Sequence, residues 1–172
     1  MSKRMKQGAS TITQQLSRTL FLQKEKIKIV RKIKEIIISL IIDKKYDKDI
    51  ILKSYLNNVF FGNDTIGINE AADFYFKKFV DELTLSEIAF LVSILPAPNK
   101  FSNDNEKLLT IQRKNKILQL MRDETIIEQS DYLVALQENI NLISKKERIN
   151  KLLIDMIKKK YIKENTKNIF RN

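Results

Sequence analysis

The chain contains no cysteine and no histidine, and only three glycines and two prolines among 172 residues. Without cysteine there is no disulfide framework, no thiolate metal site and no sulfur nucleophile. Without histidine the commonest general base and metal ligand is missing, and a Ser-His-Asp triad cannot be assembled. So little glycine and proline argues against all-β architectures, which need many tight turns. No stretch approaches the roughly 18 consecutive apolar residues of a spanning helix. The longest candidate, Ile36-Ile37-Ile38-Ser39-Leu40-Ile41-Ile42, is bounded by Lys34-Glu35 and Asp43-Lys44-Lys45 and reads as a buried helix. The opening Met1-Ser2-Lys3-Arg4-Met5-Lys6-Gln7-Gly8 is charged, but no apolar region follows it, so no signal-peptide pattern is visible.

What is present is ordinary for a folded domain: 43% hydrophobic residues and a length that suits one domain, two at most. The charge is less ordinary. Lysine and arginine number 32 against 21 acidic residues, a net charge of +11, which favours a polyanionic partner such as nucleic acid, an anionic membrane surface or a phosphorylated substrate. Residues 1–53 carry net +9 and residues 54–172 only +2. The positive field is concentrated at one end.

Helical spacing dominates the pattern. Over residues 24–43, Lys24, Lys28, Arg31, Lys32, Glu35 and Ser39 share one stripe, while Ile29, Ile33, Ile36, Ile37, Leu40 and Ile41 share the opposite one. Asp47 is placed to cap a following helix that ends near Asn57-Asn58, and Gly62 and Gly67 bracket a loop. A helix is expected over about 69–79, and Thr84-Leu85-Ser86-Glu87 is a capping box for the next, which Pro96-Ala97-Pro98 stops. Residues 106–122, 124–142 and 145–163 are read as three more helices, the last of them basic. The whole reads as all-α.

Two stretches carry chemistry. Gly8-Ala9-Ser10-Thr11-Ile12-Thr13-Gln14-Gln15 sets three hydroxyls and two amides immediately before and within the start of a helix. Free N–H groups there suit phosphate or carboxylate, and glutamine amides suit sugar hydroxyls or phosphate oxygens. A well-capped helix with solvated glutamines explains the same residues about equally well. In Arg31-Lys32-Ile33-Lys34-Glu35 a single carboxylate sits among cations, where it stays ionised and orients its neighbours rather than donating a proton. The cations suit a diphosphate leaving group. Taken alone, a solvated charged face is the simpler reading, its i,i+4 pair contributing about 0.3–0.5 kcal/mol.

Together, and in order, these stretches resemble the family 51 glycosyltransferases, the peptidoglycan glycosyltransferase domains of class A penicillin-binding proteins and monofunctional transglycosylases. Gly8 to Gln15 resembles the family's second motif and Arg31 to Glu35 its third. Lys48-Asp49-Ile50-Ile51-Leu52-Lys53-Ser54-Tyr55-Leu56-Asn57 with Phe60-Phe61-Gly62 resembles the fourth. Ala71 to Lys78 with Leu83 to Ala89 resembles the fifth, and Leu95-Pro96-Ala97-Pro98 its ending. The four motifs span about residues 8–121. The resemblance implies an all-α, lysozyme-like glycosyltransferase fold, incomplete at the N-terminus, with residues 1–125 as the partial domain and 126–172 as its helical extension. It implies polymerisation of lipid II, in which an acceptor 4-hydroxyl attacks the donor's anomeric carbon with inversion and polyprenyl diphosphate leaves. Glu35 matches the family's second active-site glutamate, the one catalytic residue carried over. Ser10, Thr11, Gln14, Gln15, Arg18, Lys26, Arg31, Lys32 and Lys34 fall where the family binds donor sugar and diphosphate.

The implied partners are lipid II, the nascent glycan strand, an anionic membrane surface and other cell-wall synthesis proteins, without nucleic acid, at the outer face of the bacterial cytoplasmic membrane. No resident metal or cofactor is implied; a divalent cation such as magnesium riding on the substrate diphosphate is the one addition the chemistry allows. The family's first motif, with the glutamate thought to deprotonate the acceptor, lies upstream of the Gly-Ser-Thr motif. Here seven residues precede Gly8 and none is acidic. The chain is therefore expected to be weak or inactive alone and to leave apolar surface uncovered on residues 29–41. Lys77 stands where the family has glycine, and Arg18 where many members have lysine. The rival readings are a non-catalytic lipid-II-binding or scaffold protein and, from charge alone, a basic helical nucleic-acid-binding module. Tyr55, Leu56, Phe60 and Phe61 are expected in the core, and Glu87 as a cap.

Overall fold

The computed structural model describes residues 10–143 together with 153, 154, 156–158, 160 and 161. Its helices are α1 (Ile12–Phe21), α2 (Lys28–Lys45), α3 (Lys48–Asn58), α4 (Ile68–Phe76), α5 (Leu85–Ile94), α6 (Pro98–Phe101), α7 (Lys107–Asp123) and α8 (Gln129–Gln137), with short 3-10 turns at Val80–Glu82 and Asp104–Glu106. The one β feature among the described residues is an isolated antiparallel bridge between Phe60 and Ile66. The chain is all-α, as its sequence indicates.

Local chemistry starts and stops these helices. The Thr11 hydroxyl accepts from the Gln14 amide at 3.2 Å and opens α1. Thr84 and Glu87 form the expected reciprocal capping box at α5. Asp47 occupies the N-cap position of α3 but makes no capping bond through its side chain. α4 ends at Phe76, earlier than expected, because Lys77 turns left-handed (φ 55°) and its N–H donates to the Asp73 carbonyl. The glycine-like conformation survives without glycine, at a steric cost to a residue bearing a Cβ. The helix expected over 124–142 is shortened to α8, since Thr125 is also left-handed and Glu128 is the residue preceding the first turn. Of the basic segment 145–163, residues 144–152, 155, 159 and 162 onward lie outside the described residues. Those described from 153 to 161 are helical and exposed.

Three apolar clusters hold the helices together. Phe61, Tyr75, Phe76, Phe90, Leu91 and Ile94 join the bridge loop, α4 and α5. Leu16, Ile51 and Tyr55 join α1 to α3. Ala89, Leu118 and Ala135 join α5, α7 and α8. Tyr55 and Phe61 are core residues as expected, while Leu56 and Phe60 are half-buried.

One expectation is overturned. The run Ile36–Ile42 reads as a buried helix in the sequence, but α2 turns most of it outward, with Ile38 and Ile42 half-buried and Ile42 packed against the Leu16, Ile51 and Tyr55 cluster. Ile29, Ile33, Ile36, Ile37, Leu40 and Ile41 are 42–75% exposed, and Glu35 and Ser39 are the buried residues of this helix. The reason lies in α1, whose contacting side is itself small and polar. Thr13 and Ser17 are buried there, and the Thr13 hydroxyl donates to Asp43 Oδ1 at 2.7 Å. Ser17 and Ser39 satisfy their hydroxyls on carbonyls of their own helices, at Thr13 and Ile36, while Thr13 bonds Asp43 and Lys32 bonds Gln14 across the contact, which an apolar stripe facing Thr13 and Gln14 would not do. The uncovered apolar surface expected on residues 29–41 is present.

Candidate active site

α1 and α2 pack side by side and bring the two chemical stretches together. Glu35, 5% exposed, is the buried centre. Arg31, one turn earlier, places Nε 3.5 Å from Glu35 Oε1, and Lys32 places Nζ 3.3 Å from Oε2. Each carboxylate oxygen therefore faces its own cation. Lys32 reaches further: Nζ also donates to Ser10 Oγ and to Gln14 Oε1, both at 2.9 Å. A single ammonium thus ties the start of α1 to the carboxylate of α2. This is the i, i+3, i+4 spacing of residues 31, 32 and 35 acting on one side of a helix.

Beside this cluster lies a cleft of about 420 Å³, lined by Arg18, Gln23, Arg31, Asn58 and Phe60 among others. Two guanidinium groups line this volume. Because a guanidinium has five N–H donors and Glu35 faces that of Arg31 through Nε, that group retains donors for an anion.

The remaining candidates are placed as follows. Thr11 is spent on the helix cap. Gln15 turns toward α3, where the Tyr55 hydroxyl donates to its Oε1 at 3.2 Å, and its Nε2 donates to the Ser10 carbonyl at 3.5 Å. Burial raises the Tyr55 phenol above its ordinary value, with Arg18 opposing, so the hydroxyl remains a donor at neutral pH. Lys26 is exposed on the loop between α1 and α2. Lys34 does not join the cluster: Nζ pairs with Glu25 Oε2 at 2.6 Å. That bond, with a further one from the Ile27 amide, holds the Glu25 carboxyl below its usual range. Ser10, Gln14, Arg31, Lys32 and Glu35 therefore form one connected set, with Arg18 across the cleft, Gln15 beside it and Lys34 outside it.

Sequence reasoning missed Glu25, Tyr55 and Asn58. A lysine nine positions from a glutamate across a loop, and a tyrosine forty positions from its glutamine, leave no periodic signal. Asp43, the other carboxylate of α2, accepts from the Thr13 hydroxyl two turns from Glu35. Among the described residues no three histidine, cysteine, aspartate or glutamate side chains are grouped to hold a metal ion.

The family model for transglycosylases matches residues 1–122. The chain belongs to the transglycosylase family. Among its relatives, penicillin-binding protein 1A of Vibrio cholerae is 42% identical over 134 residues, 78% of this chain and 16% of that protein. Penicillin-binding protein 1A of Aquifex aeolicus is 36% identical over 156 residues, 90% of this chain and 21% of the relative. Penicillin-binding protein 4 of Bacillus subtilis is 38% identical over 146 residues, 84% and 23% respectively. The transglycosylase chain thus spans about a fifth of the length of these curated relatives. The crystal structure of penicillin-binding protein 1A from Haemophilus influenzae superposes with a TM-score of 0.52 at 36% identity, covering 61% of this chain and 16% of that one. The helical architecture is that of the lysozyme-like transglycosylase domain.

Proposed function

We propose that this chain is a peptidoglycan glycosyltransferase module, residues 1–125, with residues 126–172 as a helical extension, and that its α1–α2 cluster binds the diphosphate of lipid II or of the growing, lipid-linked glycan. The observation that supports it most is Lys32, whose ammonium joins Ser10 and Gln14 to the buried Glu35 while Arg31 and Arg18 line the adjoining cleft. In the reaction, the acceptor 4-hydroxyl forms a bond to the donor's anomeric carbon as the bond to diphosphate breaks, and the leaving oxygen gains negative charge. Arg31 and Lys32 are the groups fitted to stabilise that charge, because Glu35 holds them in place before it appears, and Arg18 adds a third cation lining the cleft. Glu35 fixes Arg31 and Lys32. Both its oxygens face cations, so its part is to hold the anion site in shape rather than to take the acceptor's proton.

This division of labour favours one second reading, a module that binds the lipid-linked diphosphate without polymerising it. The membrane assignment is also ours: contact with an anionic membrane surface is supported by the lysines at both ends of the exposed α2 isoleucines, Lys24, Lys26 and Lys28 at one end and Lys44, Lys45 and Lys48 at the other, and placement at the outer face of the bacterial cytoplasmic membrane follows from the proposed glycosyltransferase activity. No helix among the described residues is long and apolar enough to cross a membrane. Incubation with fluorescent lipid II, read by gel for polymer and by anisotropy for binding, tests the proposal. Polymer supports the glycosyltransferase, binding without polymer supports the second reading, and neither refutes both.

A further inference from the structure

Tyr55 is where the core of α3 touches the anion site. The ring sits with Leu16 and Ile51 in the apolar cluster between α1 and α3 and is 6% exposed. A buried phenol needs a partner for its hydroxyl, and here the partner is the Oε1 of Gln15 at 3.2 Å. That choice has a directional consequence. A primary amide has an accepting end and a donating end, and its rotation by half a turn exchanges them. With the carbonyl of Gln15 occupied by Tyr55, the NH2 end is turned the other way. One of its hydrogens meets the Ser10 carbonyl at 3.5 Å, and the hydroxyl of that same Ser10 accepts from Lys32 at 2.9 Å. A line of bonds therefore runs from the α3 core through Gln15 and Ser10 to the ammonium on α2.

We propose that Tyr55 is a positioning residue that fixes the Gln15 amide with its N–H donors toward the anion site. The inference rests on the reading of this cluster as a diphosphate site. Were the amide reversed, Gln15 would present a carbonyl oxygen to an anionic ligand, repelling what Lys32 and Arg31 attract. Tyr55 meets no ligand itself. Together with the Ser10 carbonyl, which can only accept from Nε2, it decides which end of a neighbouring side chain does.

Inorganic pyrophosphate is the probe, titrated by calorimetry into the full 172-residue chain and its Tyr55→Phe, Gln15→Ala, Gln15→Ala/Tyr55→Phe and Lys32→Met variants. Loss of one neutral hydrogen bond predicts that Tyr55→Phe weakens binding about three- to ten-fold, and that the same change has no effect once Gln15 is alanine. Purely structural damage would persist in the double variant. The side-chain amide protons of Gln15 provide an independent readout by NMR: two resolved resonances that shift on adding pyrophosphate are expected in the wild type, and altered ones in Tyr55→Phe. This second readout stands even if a variant is poorly folded, because the wild-type signals alone must respond to pyrophosphate. Wild-type binding by Tyr55→Phe while Lys32→Met loses binding overturns the positioning role and leaves the diphosphate site standing. Undiminished binding by Lys32→Met overturns the site, and the proposal with it.

Discussion

Replacing Lys32 by methionine keeps the aliphatic stem and removes the ammonium that joins α1 to α2. Three contacts are lost, to Ser10, Gln14 and Glu35. Ser10 is exposed and Gln14 half-buried, so water replaces the ammonium at both with little cost. Glu35 decides the outcome, because it is buried and would keep only Arg31 Nε at 3.5 Å. A buried polar acceptor left a partner short costs about 1–3 kcal/mol. Lys32 is itself 46% exposed, so solvent screens its Coulombic share and the lower half of that range applies, about 1–2 kcal/mol. Relief of the repulsion between Lys32 and Arg31 acts in the same direction. At roughly 2–4 °C per kcal/mol for a domain of this size, thermal unfolding followed by circular dichroism should move down by about 2–8 °C. In a Glu35→Gln background the neutral amide no longer requires a cation, and the same substitution should then produce a much smaller drop. Equal drops in both backgrounds, or none in the first, would refute the view that Lys32 is held in place by a buried carboxylate.

Two further outcomes follow from charges outside that cluster. Glu25→Gln removes the partner that holds Lys34 on the α1–α2 loop; pyrophosphate binding should strengthen several-fold at low salt and lose that gain at high salt, and an unchanged affinity would mean that freeing Lys34 does not bring it to the site. Lys114 is 2% exposed, donates to Ser86 Oγ and the Ala135 carbonyl, and is held below the ordinary lysine value by burial, with Glu138 opposing. Between its lowered folded pKa and the unfolded value near 10.4, the unfolded chain binds more protons, so stability should rise with pH in that window relative to Lys114→Met. The Lys78–Glu87 pair, whose lysine is raised by its bond to Glu87, loses its contribution only above that window. Denaturant melts of both proteins from neutral to alkaline pH test the sign.

The parts of the fold that rest on neighbouring residues were legible. Thr84 and Glu87 announce their capping box because both partners lie within one turn. Residues 31, 32 and 35 announce their cluster for the same reason. The orientation of α2 was not legible. Spacing shows which residues share a side of a helix, and hydrophobicity suggests which side turns inward, but the decision belongs to the neighbour. Thr13 and Ser17 of α1 made the polar side the better contact. Lys34 illustrates the same limit at the site. Its motif position groups it with Lys32, yet the loop after α1 returns Glu25 close enough to claim it. Left-handed Lys77 shows the converse: the α4 ending is set by the chain around it, and the residue conforms.

An ammonium has three hydrogens, and Lys32 has committed all three, to Ser10, Gln14 and Glu35. A phosphate oxygen arriving at Nζ is therefore admitted by exchange rather than addition. One neutral acceptor, the Ser10 hydroxyl or the Gln14 carbonyl, must first release its hydrogen, while the buried carboxylate of Glu35 is the acceptor least able to turn to water instead. Both neutral acceptors belong to the segment that opens α1. Occupancy of the site is thus coupled to how firmly the beginning of α1 is fastened to α2: the empty protein is latched there by its own side chains, and a ligand that takes the ammonium loosens the latch it replaces.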